Sequence, residues 1–146
     1  CATFVLPPVP RAARLMPWRA LFSVQPPLFA LSTMLTGGDR DLARAVRGAI
    51  AEVPPLVLAD RVERVATVDV TRELAAIRCP VLYLQATNDR LVRGHNLVAA
   101  KRARPTLTST GIAAPHLLLQ TSPTACWDAI AAFLRDHGLS DDSGRS

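Results

Sequence analysis

The stretch CPVLYLQATNDRLV, residues 79–92, decides how the chain is read. Val81 to Gln85 is a compact apolar run rich in β-formers, without the three-and-four spacing of a helix. Such a run predicts a buried strand of a parallel sheet. A polar loop, Ala86-Thr87-Asn88-Asp89-Arg90, follows at once. In open α/β sheets, reactive side chains sit on loops just past the carboxyl ends of strands, and Asp89 occupies such a place.

Toward the C-terminus the pattern alternates. Gly94 to Ala103 reads as a helix stopped near Pro105, and Thr106 to Ile112 as a second strand of β-branched character. The loop Ala113-Ala114-Pro115-His116 leads to a last helix, with Ser122 as expected cap and Pro123 at its first position. Trp127, Ile130, Ala131, Phe133 and Leu134 are expected to form its buried face, and Gly138 its end. Strand, helix, strand, helix implies an α/β class with a mostly parallel sheet covered by helices. Parallel strands deliver both loops to one edge, so Asp89 and His116 are expected to meet.

Toward the N-terminus the helices are short. Thr71 is the expected cap of one running through Ile77, and before it Leu58, Val62 and Val65 face inward from another. Asp39 is the expected cap of a third, with Leu42, Val46, Ala49, Ile50 and Val53 on one face and Arg40, Arg44 and Arg47 on the other. Residues 7–36 carry six prolines among large apolar side chains, which excludes one long helix but permits short ones. The expected organisation is a strand end of the core sheet at 1–6, a helical cap or lid at 7–70, a core at 71–139 and a disordered polar tail at 140–146. Only about three strands can be counted, too few to shield a parallel sheet, so the domain is expected to be incomplete.

Composition narrows the function. The net charge is +5, from 17 basic and 12 acidic residues, and Lys101 is the one lysine. The arginines are scattered, and aromatics make up 5% of the chain, so no basic, aromatic-lined surface for nucleic acid emerges. The uncharged stretch 20–38 is broken by Gln25-Pro26-Pro27 and reads as two short apolar pieces, not a membrane span. Cys1, Cys79 and Cys126 form no C-x-x-C pair; reduced, mostly buried cysteines of a cytoplasmic protein are expected.

The segment from Leu74 to Leu134 resembles the end of an α/β-hydrolase. The resemblance is carried by Cys79-Pro80-Val81-Leu82-Tyr83-Leu84, by Asn88-Asp89-Arg90-Leu91-Val92, and by Pro115-His116-Leu117-Leu118 with Pro123. It implies that Asp89 is the acid and His116 the base of a catalytic triad in the order Ser, Asp, His. It also implies hydrolysis of a small-molecule carboxylic ester, without metal or organic cofactor. The chain departs from the family in containing no G-x-S-x-G. Cys1 lies in an apolar strand-like run and not on a strand-to-helix turn, so the nucleophile and oxyanion hole are expected upstream of Cys1. Acyl transfer, cleavage of an amide, carbon–carbon or carbon–halogen bond, and a non-catalytic binding domain stand as alternatives.

Each residue also has a plainer reading. Asp89 could cap a turn, because Asn-Asp pairs favour turns, and His116 could bond to backbone alone. His137 is expected to serve as a helix-end charge and His95 to be solvated. Met16, Trp18 and Phe22 could line an acyl pocket or pack the cap itself.

Overall fold

The computed structural model describes residues 5–7, 16–18, 20–21, 28–92 and 94–139. Phe22, Cys1 and the tail 140–146 lie outside them. Trp18, Ala20 and Leu21 are helical, and helix α1 (Leu28–Thr36) and helix α2 (Arg40–Ala51) follow, joined by Gly37 and Gly38, both at positive φ. Asp39 caps α2, its Oδ1 accepting from the backbone N–H groups of Asp41 (3.0 Å) and Leu42 (2.9 Å). Such a cap contributes about 1 kcal/mol.

The seam between α1 and α2 is more polar than the spacing predicts. Ser32 and Thr36 are buried beside Ala43. Thr36 Oγ1 donates to Ser32 O at 2.9 Å, and Arg47 Nη1 donates to Ser32 Oγ at 3.2 Å. Arg47 is therefore half-buried and not on the outer face, while Ala49 is exposed. Contact at Ala43 turns the helix so that the 43–47–50 stripe faces inward.

Helix α3 (Pro55–Thr67) buries Ala59 and Ala66, with Leu58, Val62 and Val65 half-buried beside them. Helix α4 (Thr71–Ala76) ends one residue earlier than expected. Thr71 is its first residue and not its cap: Val70 holds the cap position, and ahead of it Asp69 Oδ1 accepts from Thr71 N (3.1 Å) and Thr71 Oγ1 (2.7 Å).

Strand β1 (Leu82–Ala86), helix α5 (His95–Ala103) and strand β2 (Thr108–Ile112) form a parallel unit. Thr106 and Leu107 turn ahead of β2 instead of joining it: Leu107 N bonds to Arg104 O at 3.1 Å, and Leu107 is buried. These two are the strands among the described residues. Val5 and Leu6 form a bend, not a strand. Buried Asn96 of α5 holds that bend, its Oδ1 accepting from Val5 N (2.9 Å) and Leu6 N (2.8 Å), while Val70 N donates to Val5 O (3.1 Å).

Helix α6 (Leu118–Thr121) and helix α7 (Pro123–Asp136) complete the order. On one side of the sheet Val81 and Tyr83 pack with Val5, Ala100 and Leu107; on the other Leu84 packs with Ile112, Ala114 and Cys126. Leu82 to Gln85 remain half-buried and only Ala86 is buried, because β2 pairs with a single edge of β1. Helix α7 seats its Cys126 stripe, leaving Trp127 on the flank at 64% exposure, against the expectation that it is buried. Cys79 is likewise exposed, unlike Cys126. Among the described residues no helix is long and apolar enough to cross a membrane.

Candidate active site

The parallel register sets Ala86 opposite Ile112, so both strands end at the same level. The ladder continues into the loops: Thr87 N donates to Ile112 O (2.9 Å) and Asn88 N to Ala114 O (3.1 Å). These bonds hold the loop of Asp89 against the loop of His116 before any side chain is considered.

Asp89 Oδ1 accepts from the backbone N–H groups of Leu91 (2.7 Å) and Val92 (2.9 Å). That commitment fixes the carboxylate plane and presents Oδ2 to His116 Nδ1 at 2.8 Å. The side chains are 6% exposed for Asp89 and 10% for His116. The turn-capping and histidine-facing readings of Asp89 both hold, one oxygen for each. A carboxylate acceptor places the imidazole proton on Nδ1 and the lone pair on Nε2, the arrangement a general base requires. Burial raises the Tyr83 hydroxyl above its usual range, and the negative charge of Asp89 adds to the shift. Burial likewise raises the Cys126 thiol.

The other histidines stand apart from this pair. His95 is exposed, and its Nε2 lies 3.2 Å from Asn96 Nδ2. His137 is exposed, and its Nδ1 donates to Phe133 O at 2.8 Å. Among the described residues, no three His, Cys, Asp or Glu side chains gather as a metal site requires.

Helix α1 reaches this edge. Leu117, directly after His116, donates its N–H to Leu35 O at 3.2 Å, and Gly37 packs on Pro115, directly before it. A Cβ on Gly37 would lie 2.9 Å from Pro115 Cβ, so glycine is required both by space and by a φ of 65°.

Two cavities open at this edge; Asp89 lines the first, and His116 lines neither. One, of about 630 Å³, is lined by Met34, Gln85, Ala86, Thr87, Asp89, Arg90 and Gly94. The second, of about 620 Å³, lies between the end of α1 and the loops, with Thr33, Met34, Asn88, Arg90, Pro115 and Thr121 in its walls. Met16, 45% exposed, and half-buried Trp18 line neither cavity. Met34 is the apolar side chain at the site that sequence reasoning missed. Nothing in its spacing separates it from the other apolar residues of 20–38; the contacts of Leu35 with Leu117 and of Gly37 with Pro115 bring it there.

No protein-family model matches the chain, and no curated protein matches it by sequence. Among solved structures it is similar to the crystal structure of a hydrolase from Pseudomonas aeruginosa PA01, with a TM-score of 0.71 and 16% sequence identity. The chain has a hydrolase-like fold. The superposition covers 90% of this chain and 52% of that one, so the chain spans about half the length of that hydrolase.

Proposed function

We propose that the chain supplies the acid and base of a serine hydrolase of the α/β-hydrolase type, acting on carboxylic esters. The observation that carries this reading is the nearly buried 2.8 Å contact between Asp89 Oδ2 and His116 Nδ1, with Asp89 Oδ1 tied to two backbone N–H groups. A carboxylate serving only a turn would have no reason to bury an imidazole against its second oxygen, since burying such a group costs free energy unless it is paired.

In the proposed mechanism a serine outside these 146 residues attacks the ester carbonyl. His116 Nε2 takes the serine proton and returns it to the leaving alcohol. Asp89 holds the Nδ1–H tautomer and stabilises the imidazolium between the two transfers. Water then attacks the acyl-enzyme by the same route in reverse. Fluorophosphonate labelling of the chain joined to its native upstream sequence tests this reading. One serine should be labelled in the wild type, and labelling should slow by orders of magnitude in His116→Ala. Labelling at an unchanged rate in His116→Ala, or none in the wild type, would overturn it.

A further inference from the structure

Met34 and Arg90 are the residues common to the walls of both cavities, so they form the waist between them. Arg90 directly follows Asp89, is exposed, and makes no ion pair with any described residue. The two carboxylates that share its cavities form no ion pair with it. Both Asp89 oxygens are bonded, one to backbone and one to His116, and Asp39 Oδ1 caps α2. An unpaired guanidinium in the cavity that Asp89 lines presents a planar fork of donors that matches a carboxylate in a bidentate way. Across the waist, Met34 offers a flexible apolar thioether suited to a short alkyl chain.

We propose that Arg90 is a specificity-determining residue that grips a free carboxylate of the substrate while Met34 packs the methylenes between that carboxylate and the ester. The substrate class is then a half-ester of a small dicarboxylic acid. This inference rests on the ester-hydrolase reading above, and its test separates the two.

The first measurement is kcat/KM of the full-length protein on monomethyl succinate and on dimethyl succinate. The second is calorimetric binding of their uncleavable analogues, N-methylsuccinamate and N,N′-dimethylsuccinamide. The wild type should prefer the anion by about tenfold or more in both, the usual effect of a charge-assisted contact. Arg90→Gln should bring both ratios close to one, and Arg90→Lys should restore part of the preference. Arg64→Gln, which removes a charge from exposed Arg64 of α3, should leave the ratios as in the wild type. Equal binding of the two analogues by the wild type overturns the proposal, as does a preference that survives Arg90→Gln. If the analogues are discriminated through Arg90 and neither ester is cleaved, the anion site stands and the hydrolase reading falls. If both esters are cleaved equally, the hydrolase reading stands and the anion site falls.

Discussion

Between α1 and α2, polar groups serve packing: Arg47 joins the two helices through the Ser32 hydroxyl, while the Thr36 hydroxyl bonds back within α1 to Ser32 O. At the ends of β1 and β2, polar groups hold two side chains in one orientation: Asp89 is fixed by the N–H groups of its own loop, and His116 by Asp89. The first arrangement tolerates another side chain of similar size and polarity, because its product is only contact. The second does not, because its product is the direction of a lone pair. The bonds that cross between the regions, Leu117 to Leu35 and the packing of Gly37 on Pro115, decide how far a change in one is felt in the other.

The largest expected difference lies in turnover. In the full-length protein Asp89→Asn should lower kcat for ester hydrolysis by on the order of 10⁴, with His116→Ala at least as damaging. His137→Ala, which breaks a surface bond to Phe133 O, should change kcat little. A loss under about tenfold in both site variants would erase the distinction between the two regions and count against the proposed triad, whose members should act as a unit.

Stability effects should follow in order. Asn96→Ala strands the N–H groups of Val5 and Leu6 and should cost about 2–4 kcal/mol in denaturant unfolding. A cost below about 1 kcal/mol would mean that water replaces the clamp at no penalty. Gly37→Ala should cost about 1–2 kcal/mol for the left-handed backbone alone. Its kcat should fall as well, because relief of the clash moves Pro115 beside His116. A stability loss with unchanged kcat would show that the regions are uncoupled. Asp39→Ala should cost about 1 kcal/mol through the lost cap of α2.

The smallest effect concerns pH. Tyr83 keeps its proton to higher pH in the folded state than in the unfolded chain, by burial and by the charge of Asp89. Its contribution is therefore fully present below about pH 10 and is lost as pH rises further. Tyr83→Phe should flatten the alkaline fall of stability, and an unchanged slope would place the hydroxyl in solvent.

The β1–β2 region was legible from sequence because each of its signals is local and independent. An apolar run, a polar loop at its end and a second β-branched run suffice to set Asp89 beside His116 once the strands are parallel. The strand limits shifted where a turn competed, as at Leu107; Val81 lies just ahead of β1, its carbonyl still accepting from Thr108 N at 3.0 Å. The α1–α2 region was less legible. Helical spacing ranks Ala49 above Ala43 and places Arg47 outside, yet the close approach of α1 selects the smaller stripe and draws the arginine inward to Ser32. Trp127 shows the same limit: hydrophobicity marks it for burial, whereas α7 is seated by Cys126. Met34 and Asn96 act through partners 50 or more positions away in sequence, which no local pattern reports.

The central claim is that Asp89 fixes the tautomer of His116, and nitrogen-15 NMR of the imidazole in the full-length protein measures it directly. At a pH where His116 is neutral, Nδ1 should carry the proton and Nε2 should show the shift of an unprotonated nitrogen, while Asp89→Asn should move the population toward the Nε2–H form. A wild-type imidazole protonated on Nε2, or a tautomer ratio unchanged in Asp89→Asn, would contradict the account.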